Sequence, residues 1–220
     1  MTKRLEGMKV AILAADGFEQ VELTRPAKAL EKEGAIVDVI SLKPGKIRGM
    51  NLHLPGSKVK VDRVIAEAQP GEYDALLIPG GFINPDMLRQ STEVLDFVRA
   101  MVAAGKPVAS ICHGPWVLIS AGLVANKRLT SWPGIRDDIT NAGGLWEDTV
   151  VVRDGALLTS RSPLDLPQFN EAVIDLFAEH LPPGRAEEAK EQRRAPVGRY
   201  ILGGLALAAV AAFVARRAAT

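Results

Sequence analysis

Cysteine is nearly absent from this chain: one residue in 220, Cys112, so an intrachain disulfide is excluded and the unpaired thiol fits a reducing compartment. Histidine is almost as scarce. His53, His113 and His180 are scattered and make no metal-ligand motif, so no metal is expected. Neither sign of charge dominates, with 27 Lys and Arg against 26 Asp and Glu and a net charge of +1, and nucleic-acid binding has no electrostatic basis. No G-x-G-x-x-G or P-loop pattern occurs, so no nucleotide cofactor is expected. The opening Met1–Met8 is basic but lacks an apolar stretch, so it is not a secretory signal, and the main domain is expected in the cytoplasm. No repeat of fixed period is present.

What is present alternates. Short apolar runs rich in β-branched residues at Val10 to Ala14, Ile36 to Ile40, Ala75 to Ile78, Val108 to Ile111, Thr149 to Val152 and Ala156 to Thr159 predict buried strands. Between them lie amphipathic stretches. Glu19 to Glu33 turns Val21, Leu23, Ala27 and Leu30 to one side and stops at Gly34; Thr92 to Ala104 follows Ser91 as N-cap and stops at Gly105. A last helix, Leu164 to Leu181, is halted by Pro182-Pro183-Gly184. Strand and helix in alternation predict an α/β doubly wound sandwich with a mostly parallel sheet, whose ligands lie at the strands' carboxyl ends. Asp154-Gly155 adds an antiparallel hairpin at the end of the sheet.

This reading puts one domain over residues 5–181. Residues 182–199 form a charged linker without an apolar face, expected to stay in water. Residues 200–215 then run sixteen positions without a charge, between Arg199 and Arg216-Arg217. As a helix that spans about 24 Å, short of a hydrocarbon core of about 30 Å, but flanking arginines and Tyr200 extend its reach. It is read as a C-terminal transmembrane anchor; the alternative is a buried helix docked on protein. Lys190, Arg193, Arg194 and Arg199 precede it and only Arg216 and Arg217 follow, which keeps the domain on the cytoplasmic side of the inner membrane.

The chemistry centres on Lys106-Pro-Val-Ala-Ser-Ile-Cys-His-Gly-Pro-Trp116. A lone cysteine usually reads as a small buried apolar residue. Here a buried strand ends at Ile111, Gly114 permits a sharp turn and Pro115 suits a first helical position, which makes a nucleophile elbow carrying sulfur. The following helix N-terminus is expected to draw Cys112 towards thiolate. His113 adjoins it, although neighbouring side chains normally diverge. Glu19 and Glu22, at i and i+3 after the first strand, share a face overlooking the same crevice; the plain alternative is a pair of helix-dipole partners. A buried carboxyl near a thiolate should be protonated and donate to sulfur. Pro79-Gly80-Gly81 offers backbone amides, with that of His113, to a developing oxyanion, or is simply a turn. His53, in a Gly/Pro-rich loop, and His180, near a helix end, read as surface residues.

In combination these features resemble the PfpI family, within the superfamily of the Parkinsonism-associated deglycases and glutamine amidotransferase domains. The resemblance spans Met8 to about Leu181 and is carried by Phe18-Glu19-x-x-Glu22-Leu23, Asp74-Ala-Leu-Leu-Ile-Pro-Gly-Gly81, Asn84-Pro-Asp-x-Leu-Arg89, Ala109-Ser-Ile-Cys-His-Gly-Pro115, Thr130-Ser-Trp-Pro-Gly-Ile-Arg-Asp-Asp138 with Asn141-Ala-Gly143, and Thr159-Ser-Arg161 with Pro163 and Asp165-Leu166. It implies a flavodoxin-like fold, homodimers or larger homo-oligomers, Cys112 as nucleophile, Glu22 and His113 as its partners, and Asp86 near the position from which some members lend a glutamate across a subunit interface. Glu19, Gly80, Gly81 and Gly114 are expected around the substrate. The implied activity is cysteine-dependent hydrolysis of small carbonyl compounds or of glycated protein or peptide; the alternatives are an intracellular cysteine peptidase or amidase and a non-enzymatic redox-sensing or chaperone-like stress protein.

Overall fold

Residue alternation along β1 (Lys9–Leu13) already shows how the molecule is layered. Val10 and Ile12 enter one apolar core while Ala11 and Leu13 enter another, as the two-residue period of a strand buried on both faces requires. The structure is a computed structural model and describes residues 3–194.

The other strands of the main sheet are β3 (Ile36–Ser41), β6 (Arg63–Val64), β7 (Ala75–Ile78), β8 (Val108–Ile111), β11 (Val151–Asp154) and β12 (Leu157–Ser160), where β2 (Phe18–Glu19), β4 (Lys46–Asn51), β5 (Leu54–Lys60), β9 (Arg128–Leu129) and β10 (Leu145–Trp146) lie outside it. Its order is β11-β12-β8-β7-β1-β3-β6, parallel except for β11 against β12. The inner order β3-β1-β7-β8-β12 is the flavodoxin-like 2-1-3-4-5 winding. The antiparallel pair turns at Asp154-Gly155 as expected, although its first strand starts at Val151 rather than Thr149.

Helices α1 (Gln20–Lys32) and α6 (Leu166–Glu179) close one face, with Leu23, Leu30, Phe169, Val173 and Phe177 in that core. Helices α3 (Thr92–Ala103), α4 (Pro115–Ser120) and α5 (Arg136–Asn141) close the other, following α2 (Ile83–Leu88). Ser91 caps α3, its Oγ accepting from Val94 N.

Two departures from the sequence reading stand out. The Gly/Pro-rich stretch around His53, expected as a loop, is the β4–β5 hairpin, which with β2 makes a separate three-stranded sheet. The charged linker does not stay wholly in water: it forms α7 (Arg185–Arg194), whose Ala189 is buried. Arg185 Nη2 and Nε donate to Asp74 Oδ1 and Oδ2 at 2.7 and 2.9 Å. Asp74 is 7% exposed and also accepts from Lys9 N, so a buried carboxylate just before β7 needed a cation and Arg185 supplies it. The anchor expected at 200–215 lies outside the described residues.

Candidate active site

Three strand ends build the site. The chain leaves β1 through Gly17 and β2 into α1, which carries Glu22; it leaves β7 through Pro79-Gly80-Gly81; it leaves β8 directly into Cys112. Cys112 takes φ +62, a left-handed conformation rare for a side-chain-bearing residue, so the strain of the elbow sits on the cysteine itself. Gly114, expected to supply that freedom, is ordinary helical backbone; it is glycine because a Cβ there would lie 2.4 Å from Ser110 Oγ and 2.6 Å from Ile78 O. The elbow is pinned by Cys112 N donating to Ser160 O at 3.0 Å and by Trp132 N donating to Cys112 O at 2.9 Å. Pro115 opens α4 as expected.

The twist at Cys112 resolves the expected divergence of adjacent side chains. His113 Nδ1 stands 3.2 Å from Cys112 Sγ. The His113 ring packs edge-on to Trp116 and stacks on Trp132 at 5.9 Å, and burial lowers its pKa, which favours the neutral imidazole a general base requires.

Glu22 is fully buried. Its Oε2 accepts from Gly80 N at 2.8 Å, whereas its Oε1 meets no donor. A buried carboxyl oxygen without a partner is cheaper protonated than charged, and the Glu22 carboxyl interacts with the nearby Cys112 thiol. Burial pushes the Glu22 pKa from 4.5 to about 8, aided by the nearby charge of Glu19. The neutral acid near neutral pH is as anticipated.

The thiolate expectation needs correcting. Burial, then the charge of Glu22, raises the Cys112 pKa, against backbone amides of Gly81 and His113 that bond the sulfur. Cys112 is only 6% exposed, and desolvation is the largest of these causes. Cysteine and glutamate therefore titrate as a coupled pair: with the proton on Glu22, the repulsion on sulfur is gone and two amides oppose burial alone. Those amides, assigned in the sequence to an oxyanion, face the sulfur in the resting site.

Gly80 and Gly114 pack beneath the site rather than on its wall. A Cβ at Gly80 would fall 2.6 Å from Cys112 Cβ, 2.7 Å from Glu22 Oε2 and 2.9 Å from His113 N. Gly81, at φ +74, reaches the surface of a cavity of about 300 Å³ that it shares with Glu19, Glu22, Cys112, His113 and a rim containing Trp132. His53, set aside as a surface residue, also lines that cavity. Asp86 does not. It is exposed on α2, where its backbone and side-chain oxygens accept from Gln90 Nε2. His180 stays at the end of α6 against Leu176 O.

One residue appeared in the sequence only as part of a motif. Fully buried Asn84 accepts from Ala15 N at 2.6 Å and donates to Pro79 O and Gly80 O at 2.8 and 3.1 Å, tying the glycine turn to the end of β1. Among the described residues, no group of three His, Cys, Asp or Glu is placed to hold a metal ion.

A strained cysteine elbow at the carboxyl edge of a doubly wound sheet, with a buried acid and an imidazole on its sulfur, defines a cysteine-nucleophile α/β protein. More narrowly, the chain belongs to the DJ-1/PfpI family, whose sequence model matches residues 8–176. It is 48% identical over 170 residues to a deglycase of Pyrococcus abyssi (strain GE5 / Orsay), covering 77% of this chain and 99% of that one. It is 42% identical over 171 residues to the protein/nucleic acid deglycase 2 of Escherichia coli (strain K12), covering 77% and 97%. The crystal structure of Drosophila melanogaster DJ-1beta superposes with a TM-score of 0.72 at 25% identity, covering 86% of this chain and 98% of that one.

Proposed function

We infer that this protein is a cysteine-dependent hydrolase of the PfpI type that removes reactive-carbonyl adducts, of the methylglyoxal or glyoxal kind, in stress protection. The observation that carries the reading is the Cys112–Glu22–His113 cluster opening on a cavity of about 300 Å³, at the small end of ligand pockets. The relatives named as deglycases support it.

The reaction follows from the positions of the protons. His113 Nδ1, 3.2 Å from sulfur, accepts the thiol proton as Cys112 Sγ forms a bond to the adduct's electrophilic carbon. As sulfur gives up its charge, the amides of Gly81 and His113 are freed for the neighbouring oxygen. Protonated Glu22 or the imidazolium gives a proton to the departing amine, leaving a thiohemiacetal on Cys112. A proton then moves from its C1 to C2 through an enediol, with Glu22 or His113 as carrier, so that the ketone is reduced to the alcohol as C1 is oxidised to the thioester. One water cleaves the carbon–sulfur bond to leave a free amine and a lactate-type hydroxy acid. Adduct plus water balances amine plus acid.

The test compares wild type with Cys112→Ala on methylglyoxal, glycated peptide and unmodified peptide. The wild type is expected to release amine from glycated peptide and the variant to fall by at least about 10³-fold. Equal rates remove the catalytic role, and turnover of unmodified peptide alone assigns the site to a peptidase. Homo-oligomerisation and tethering through residues 200–215 complete the proposal. No helix among the described residues is long and apolar enough to cross a membrane, so the tether rests on the sequence of that segment.

A further inference from the structure

The tip of the β4–β5 hairpin is the part of the pocket wall that no core holds in place. Leu52 and His53 both line the cavity, yet Leu52 is 71% exposed and Leu54 70% exposed, so apolar packing does not fix the turn. Leu52 also stands at φ +58, a conformation that costs a branched apolar residue and persists only where something else determines it.

Two contacts hold the turn: the Asn51–Leu54 ladder pair closes it as a two-residue hairpin, and Leu52 N donates to Glu19 Oε2 at 3.0 Å, which ties the closed turn to the pocket. Glu19 is 8% exposed and itself held: its backbone lies in β2, paired with Met50 of β4, and its N–H donates to Gly80 O at 3.3 Å. Gly80 N in turn donates to Glu22. One carboxylate thus joins this exposed wall of the pocket to the turn beneath Cys112.

We propose that Glu19 is a positioning residue whose carboxylate holds the Leu52–His53 tip as a wall of the Cys112 pocket, and that this wall restricts the site to short-chain carbonyl adducts, excluding aryl ones. The substrate class rests on the deglycase reading; the wall does not. Glu19 touches no reacting atom in this scheme. Its second effect, the charge that helps keep Glu22 protonated, is separable because glutamine retains the acceptor oxygen and loses the charge.

The single cysteine provides a readout independent of turnover. Second-order rates of Cys112 alkylation by iodoacetamide and by N-(1-pyrenyl)maleimide are measured for wild type, Glu19→Gln, Glu19→Ala and Glu19→Met. Methionine keeps the side-chain length and removes the acceptor, so it serves if Glu19→Ala does not fold. The bulky-to-small rate ratio is expected to rise at least about tenfold in Glu19→Ala and Glu19→Met, the effect of losing a hydrogen bond to a charged group, and to stay within about threefold of wild type in Glu19→Gln. An unchanged ratio in Glu19→Met, or a rise in Glu19→Gln equal to that in Glu19→Ala, overturns the proposal. If adducts are substrates, KM for phenylglyoxal-modified peptide falls in the same two variants while that for methylglyoxal-modified peptide does not. Should no variant turn over any adduct, the alkylation ratios still decide the wall.

Discussion

At the scale of single residues, the site is governed by where one proton rests. Glu22 is buried with one oxygen satisfied by Gly80 and the other bare, and its pKa rises from 4.5 to about 8. Because the folded state holds this proton more tightly than the unfolded chain, the group destabilises the fold as pH rises from about 4.5 through about 8. At about 1.4 kcal/mol per tenfold in proton affinity, the loss across that window is on the order of 5 kcal/mol. Glu22→Gln removes the titration while keeping an acceptor for Gly80. Denaturation midpoints measured from pH 5 to pH 9 are expected to fall more steeply in wild type than in the variant; parallel curves would place the proton elsewhere. Turnover should drop at least about a hundredfold in the variant, because glutamine cannot supply the acid's proton.

Elements divide by how their partners are encoded. Six of the seven strands of the main sheet were legible as short apolar runs, the central ones because burial on both faces makes them continuous, whereas the two-residue edge strand β6 carries no such run. Asp154-Gly155 marked its hairpin because the turn itself demands such residues. The β4–β5 hairpin was not, since most of its residues are exposed and no apolar alternation marks it. His53 was lost with it. Asn84 was opaque for a different reason: its carbonyl partners at Pro79 and Gly80 and its donor at Ala15 meet only once the sheet has formed. Helix α7 was read as solvated because it has no apolar stripe, but it docks through one buried ion pair. Its removal has a measurable cost. A chain ending at Leu181, or Arg185→Ala, leaves Asp74 buried with only Lys9 N as donor, about 1–3 kcal/mol of stability. For a domain of this size the melting temperature is expected to fall by roughly 3–10 °C, while a chain ending at Arg194 keeps the wild-type value. Equal melting temperatures for all three would mean that α7 does not dock.

For the whole molecule, the consequential fact is that the two functional ends of the sheet point apart. Cys112, Gly81 and Glu22 gather where β8, β7 and β1 finish, whereas Arg185 and Ala189 of α7 lie against Gly7, Lys9 and Ile36, where β1 and β3 begin. The chain therefore starts towards its apolar segment from the pole opposite the pocket. If residues 200–215 enter a bilayer, the pocket need not face it, and attachment costs the enzyme no access to soluble substrate. Two measurements follow. The full chain is expected to resist alkaline extraction from membranes, and a chain ending at Arg194 to be released; release of both retires the tether. On vesicles, the full chain is expected to turn over soluble glycated peptide within about twofold of the rate of the shortened chain, since the site meets the same solvent in both. A rate on vesicles reduced far below that, with activity restored by detergent, would instead mean that the pocket is turned towards the lipid, and the opposed-pole arrangement would not hold.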